Sequence, residues 1–410
     1  MLNDSLGELL AFRNHNVVPE CVQEFANRVD EERLLVEQYL NSPAHPVVYG
    51  FNTLLGPLDD QKTYSSSLRE LADGHLVGAV ESSPRGLLSL MTQVKIMQIS
   101  RGGSGLSGDS FRVLLAKGRQ DFTAEGAWRA SYGSGDVVPA AWWARALFGD
   151  DLYRLPAGDF IALVNGNFCS TAAAIAGYQE CLDLFANILV LGGQCCSRPR
   201  FDDSQAGIAG YLKPLGGTAV AYSAGNVQLP VSVRDLLPVV HASEAALKGL
   251  RGAINDRLLT QSGNPLFCFA GETSHVSQSS FLDVRLTMSV NQCLTALSFC
   301  VAALVDWVEF LARAAESISE RVASVQIPKI ARAIQSQIAV VMGDVSVPVV
   351  RESGGVEDLA DGSLLKAHAL VSACSLAQQI VDEARCLFGI DAEEMRDQVQ
   401  SVSMAFARAH

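Results

Sequence analysis

The chain has 410 residues, enough for two or three domains and a large buried core. With 49% hydrophobic and 18% charged residues, the composition favours buried helices and subunit interfaces over disorder. A net charge of −13 argues against nucleic acid or an anionic membrane surface as a partner.

In chain order, the opening MLNDSLGELLAFRNHN lacks the basic and apolar regions of a signal peptide, so a cytoplasmic location is expected. HPVVYGF, at 45–51, reads as a short strand. A helix is expected over Phe160–Leu191, followed by a looser stretch at 192–218. The next helix spans about Ser232–Leu259, with Arg234 near its start and a kink at Pro238. Glu272–Ile327 contains no glycine or proline, and its apolar spacing of three and four predicts a long central helix over about 281–323. Its most apolar run, Cys293–Val305, is stopped by Asp306 and reads as too short to span a bilayer. After loose residues at 342–362, which include the strand candidate VSVPVV, a last helix is expected over Ser363–Phe388. The predicted fold is mainly α. A loop-rich N-terminal part, 1–158, packs on a long-helix bundle, 159–410.

Familiar site motifs are weak or absent. GSGLSG at 103–108 matches a dinucleotide fingerprint in letters but lacks a preceding strand and a βαβ context. The seven histidines and ten cysteines show no metal-ligand spacing, so no metal is expected. Most cysteines sit in apolar runs and read as reduced, buried small hydrophobes.

Several separated polar signatures remain. They are YGFNTLLG with Tyr49, LVNGN with Asn165, QLPVSVR with Gln228 and Arg234, and VED with Glu357. Between them lie RGGSG at 101–105 and YGSGDVVP, where Gly133-Ser134-Gly135 precedes Asp136. Each alone fits a turn, a cap or a solvated loop.

In this order, over residues 45–390, the motifs resemble those of the histidine and phenylalanine ammonia-lyases, the aromatic amino acid lyases. YGFNTLLG is similar to the family's YG(x)NTGFG, GSGDVVP to ASGDLxP, LVNGN to LxNGT, and VED to QED. The resemblance implies the ammonia-lyase fold. It also implies 4-methylidene-imidazol-5-one as cofactor, an electrophile built from Gly133-Ser134-Gly135. The last glycine's nitrogen closes on the first residue's carbonyl, and serine loses water. Elimination or shift of the amine of an aromatic amino acid would follow. Tyr49 would be the base, its phenol lowered by hydrogen bonds or nearby positive charge. Arg234 would grip the substrate carboxylate, and Asn165 and Gln228 would orient the amine, carboxylate and electrophile. His75 matches the histidine of the histidine- and tyrosine-acting members, and Glu357 the acidic residue of the histidine-acting branch, implying a substrate with a polar ring. A homotetramer with shared active sites is implied too.

The departures are specific. Val231 replaces the family's second tyrosine, Leu54-Leu55 replace Gly-Phe, and the NFH aromatic falls at Thr273 or Ser274. Gly133 replaces the usual alanine and makes the precursor turn more flexible. These leave open the same scaffold with an unmodified loop running another elimination, addition or cyclisation, and a non-catalytic homologue.

Overall fold

A computed structural model describes residues 4–62, 67–195, 231–234, 237–314, 322, 324–343 and 357–408. The chain forms two compact units that interleave in sequence. The first comprises Met1–Ile175, Gly252–Thr287 and Ser346–Ala367; the second comprises Ala176–Arg251, Met288–Val345 and His368–His410. The sequence reading instead places one boundary between residues 158 and 159.

The first unit is more helical than expected. Helix α1, Ser5–His15, starts where the Asp4 carboxylate accepts from Gly7 N and stops at Asn16 in a left-handed conformation. Helix α2, Glu20–Leu40, buries Val22, Phe25, Val29 and Val36 along one stripe. Then come α3, Ser67–His75, and α4, Leu87–Ile99, every residue of which is buried. Helix α4 packs against α1, α2 and α5, Gly108–Lys117. Helix α6, Val137–Phe148, anchors to this core through Trp143, whose Nε1 donates to Thr92 Oγ1 at 2.9 Å.

Helix α7, Asp159–Val164, is tied in by a buried polar knot. The Asp159 carboxylate accepts from Ser107 N at 3.0 Å and from the Ser107 and Ser110 hydroxyls, while Arg33 reaches it at 3.4 Å. Arg33 also donates to Gly105 O and Ala157 O. This knot fixes RGGSG as structural scaffolding. No nucleotide-binding βαβ unit occurs among the described residues: their strands are two antiparallel pairs, β1 (Glu81–Ser82) with β2 (Glu125–Gly126) and β3 (Leu266–Cys268) with β4 (Ser274–Val276).

Residues 45–48 are irregular and 49–51 turn, in place of the expected strand, because His45 and Gly50 take positive φ and break the extended run. VSVPVV lies outside the described residues.

The second unit holds most of α8, Phe168–Cys195, α9, Val231–Arg234, and most of α10, Leu237–Leu259. It also holds most of α11, Val284–Ala314, α12, Ile327–Met342, most of α13, Ser363–Phe388, and α14, Ala392–Arg408. Pro238 sits in the first turn of α10, where its missing N–H costs nothing. Helix α11 starts at Val284 because Asp283 caps it, accepting from Leu286 N at 2.8 Å. Asp306 does not end it, since its side chain is solvent-exposed. The helix carrying 293–305 is thus longer than that run, and by length and composition Asp159–Gly193, Val284–Arg313 and Ser363–Leu387 are long and apolar enough to cross a membrane.

Buried Leu294, Leu297, Val301, Leu304 and Val308 give α11 its core face. Trp307 Nε1 donates to Ser232 O at 2.8 Å, and Cys181 Sγ lies 3.4 Å from Cys374 Sγ as free thiols. Of the eight described cysteines, Cys21 is half-buried and Cys268 and Cys386 are exposed, so the expectation of burial holds for the other five.

Candidate active site

The turn before α6 is built from left-handed residues. Gly133 has φ +88, Gly135 φ +79 and Asp136 φ +47, with Ser134 buried between the glycines. Gly133 N donates to Ser131 Oγ at 3.0 Å, and Gly133 O accepts from Asp361 N at 2.9 Å. A Cβ on Gly133 would stand 2.9 Å from Gly362 N and 3.2 Å from Ala360 Cβ, so residue 133 must be small here. Asp136 ties the turn down: its carboxylate accepts from Ser131 Oγ at 2.6 Å, Ser170 N at 3.1 Å and the Ser170 hydroxyl. Burial pushes this carboxyl up to about 6, against the lowering effect of those serines.

A cavity of about 530 Å³ in the first unit is lined by Tyr49, Asn165, Glu357, His275, Gln278 and Phe281, among others. Phe281 adjoins the turn; a Cβ on Gly135 would touch its ring at 3.7 Å. The Tyr49 hydroxyl accepts from Gly56 N at 2.9 Å. Burial pushes the Tyr49 phenol up, the Gly56 bond opposes this, and Glu357 and Asp59 push it further up. The lowered phenol expected for a base is therefore not what this chain's surroundings produce.

Asn165 follows α7 in an extended conformation, and Gly166 at φ +141 turns the chain into α8. The fully buried Lys95 donates from Nζ to Asn165 O at 2.9 Å and stands 4.8 Å over the Phe168 ring. Two buried polar atoms on the cavity wall, Asn165 Oδ1 and Gln278 Nε2, have no hydrogen-bond partner. Such orphans are costly unless a ligand satisfies them. Tyr132 donates to both Glu357 oxygens, at 3.1 and 3.2 Å. Partial burial and the Glu357 charge push the Tyr132 phenol up.

The profile of the aromatic amino acid lyases matches residues 5–197. Over those residues the chain is similar to the aromatic amino acid lyases. It is 27% identical to the histidine ammonia-lyase of Pseudomonas fluorescens over 339 residues, covering 72% of this chain and 66% of that one, just under two-thirds of the relative's length. Its fold is similar to that of histidine ammonia-lyase from Trypanosoma cruzi (TM-score 0.71, 15% identity, 98% of this chain and 91% of that one). It is also similar to the phenylalanine aminomutase of Pantoea agglomerans (TM-score 0.68, 17%, 97% of each). A third neighbour is the ergothionase of Treponema denticola, solved with desmethyl-ergothioneine sulfonic acid (TM-score 0.69, 18%, 97% and 88%).

Lyases of this family use the methylidene-imidazolone group, and the turn fits its precursor. The two residues that join are glycines at positive φ, the intervening serine is buried, and two residues that line the adjoining cavity, Asn165 and Gln278, each hold an unsatisfied buried polar atom. No cluster of three metal-ligating side chains occurs among the described residues.

Of the residues picked out in the sequence, Tyr49, Asn165 and Glu357 line the one cavity that the Gly133–Gly135 turn adjoins. His75 is not on that wall. It ends α3, with Nδ1 at 2.7 Å from Leu71 O and its ring edge-on to Phe160. Gln228 lies outside the described residues; Arg234 ends α9 in the second unit, with its side chain outside them. Val231, in place of the family tyrosine, is 70% exposed.

His275 and Lys95 escaped the sequence reading as site residues. The Tyr39 hydroxyl lies 3.0 Å from His275 Nδ1, and burial lowers the imidazole's pKa. A lysine inside an apolar helix, MTQVKIMQI, was the available signal for Lys95.

Proposed function

We propose that this protein is a carbon–nitrogen lyase or 2,3-aminomutase acting on an aromatic amino acid with a polar, histidine- or tyrosine-like ring. The observation that carries the reading is the convergence of Tyr49, Asn165 and Glu357, from three distant segments, on one cavity beside the buried Ser134 turn.

The methylidene-imidazolone, formed from Gly133, Ser134 and Gly135, supplies the electrophile that makes the amine a leaving group. Tyr49 acts as phenolate, a form that the Gly56 N–H directed at its oxygen stabilises, and becomes the neutral phenol on taking the β-proton. The unpartnered Asn165 Oδ1 accepts from the substrate amine. Glu357, held by Tyr132, accepts from a donor on the substrate ring, and His75 supports that preference from outside the cavity wall. Arg234 and Gln228 hold the carboxylate, as the family motif implies. The enzyme is cytoplasmic, which suits its free buried thiols, and takes a small molecule with no nucleic-acid or membrane partner. It assembles as a homotetramer with shared active sites.

Intact-mass spectrometry tests the central point. The expected protein is two water molecules lighter than its sequence, with the loss localised to the peptide holding Ser134. A full-mass protein would favour the second reading, in which an unmodified turn leaves Tyr49 to run another elimination, addition or cyclisation. That reading draws its support from the Gly133 and Val231 departures. A non-catalytic homologue fits less well, because Tyr49, Asn165 and Glu357 are retained together on one cavity.

A further inference from the structure

Gly133 is held by the segment 360–362. Asp361 N donates to Gly133 O at 2.9 Å, and Gly362 N stands only 2.9 Å from where a Cβ on residue 133 would be. That approach is open to glycine and closed to the alanine usual at this family position.

Asp361 is itself immobilised on every polar atom. One carboxylate oxygen accepts from Ser363 N at 2.8 Å, the other from Asp283 N, and its main-chain oxygen accepts from Thr287 Oγ1 at 2.8 Å. Asp283 is braced in turn by Arg257 Nε at 2.6 Å. The residue is buried, so its N–H is a fixed dipole aimed at one carbonyl.

We propose that Asp361 is a positioning residue for self-processing of the turn, its N–H acting as the donor that polarises the Gly133 carbonyl during ring closure. The inference rests on the reading that the turn cyclises. In the closing step the Gly135 nitrogen bonds to the Gly133 carbonyl carbon, and negative charge gathers on Gly133 O, where Asp361 N–H already points. That oxygen then leaves as water, taking the Gly135 amide proton and the Ser134 amide proton, and a C=N bond forms. The second water takes the Ser134 hydroxyl and its α-proton and leaves the methylidene. No oxidant or reductant is required. A rigid donor where charge develops lowers such a barrier without reorganisation. It also answers the flexibility that glycine brings to position 133: the turn is oriented by its neighbour in place of its own side chain.

The test follows dehydration directly, by intact mass at timed intervals after cell-free synthesis of the full chain. Wild type is expected to lose two waters. Asp361→Ala, which frees the N–H to swing away, is expected to do so at least about tenfold more slowly, below the cost of deleting a fixed donor outright. Phe12→Leu, a core substitution in α1 remote from the turn, is the control for lowered stability and is expected to dehydrate at the wild-type rate. If Asp361→Ala does not fold, Thr287→Val removes a single anchor of Asp361 and is expected to slow the mass loss in folded protein. Dehydration at the wild-type rate in either folded Asp361 or Thr287 variant overturns the inference and leaves the lyase reading standing. Equal slowing in Phe12→Leu also overturns it, and a full-mass wild type overturns both.

Discussion

Lys95 Nζ donates to the main-chain oxygen of Asn165 at 2.9 Å from a wholly buried position, with no ion pair to a carboxylate among the described residues. Burial lowers its pKa from 10.5 to about 7. The folded chain therefore releases this proton near pH 7, while the unfolded chain holds it to about 10.5. Between those values the unfolded state binds more protons, so this residue's contribution to stability rises with pH across that window. The melting temperature of wild type minus that of Lys95→Met should increase steadily from pH 7 to pH 9.5. A flat difference would mean that the lysine is charged in the fold. The same variant leaves Asn165 O unsatisfied, at a cost of about 1–3 kcal/mol, so a fall in turnover should accompany it.

Gly133 gives a second test. Alanine there would carry φ +88 and a Cβ 2.9 Å from Gly362 N. Strain of this kind costs of order 1–3 kcal/mol, so Gly133→Ala should lower unfolding free energy by that amount in denaturant titration. Family resemblance alone predicts the opposite, since alanine is the usual residue.

Tyr49→Phe should fold and assemble normally, with a loss of about 1 kcal/mol for the Gly56 hydrogen bond. Turnover should fall at least about 10²-fold, the low end for a general base. Because burial pushes this phenol above its ordinary value of 10.0, kcat/KM of the wild type should climb through the alkaline range without levelling off below that value. A plateau near neutrality would show that a cation from outside the surroundings described here lowers it.

Much of the architecture was legible from the sequence because it depends on local pattern. Ser363–Phe388 matches residue for residue, and the glycine- and proline-free run did contain the long helix α11. The N-terminal part was underestimated. Helix α4 is buried all round and shows no polar face to give it away, although α2 carried a readable stripe. The helix expected over 160–191 is broken at Asn165-Gly166, the point that sets Asn165 on the cavity wall. Tyr49, Asn165 and Glu357 were visible as motifs, whereas Asp361 and Lys95 act through contacts with residues far away in the chain. No spacing in a single sequence encodes such contacts.

Glu357→Gln should separate recognition from chemistry. Tyr132 donates to both carboxylate oxygens, and an amide offers only one acceptor, so the side chain loses both charge and support. A hydrogen bond to a charged group contributes roughly 1.5–3 kcal/mol. KM for a polar-ring substrate should therefore rise about 10- to 100-fold, with kcat changed far less. An equal loss with a ring that carries no hydrogen-bond donor would remove Glu357 from substrate selection.

Assembly can be tested on α11. Met288 and Phe299 are 66% and 62% exposed and lie about three turns apart on one stripe of that helix, beside a groove of about 500 Å³ that Ala242 and Ala245 help to line. Large apolar side chains grouped in this way are where the proposed tetramer contact is expected. Copies related by two-fold axes repeat any such contact, which makes a single substitution act several times in one assembly. Sedimentation at micromolar concentration should give a homotetramer for wild type. Phe299→Glu should shift the population to smaller species, because each repeated contact then buries an unpaired charge. Its helix content should be unchanged, since the side chain faces solvent in the isolated chain. If neighbouring copies share active sites, turnover should fall in step with the tetramer fraction. A wild-type monomer, or a fully active dissociated variant, would remove the shared site from the proposal.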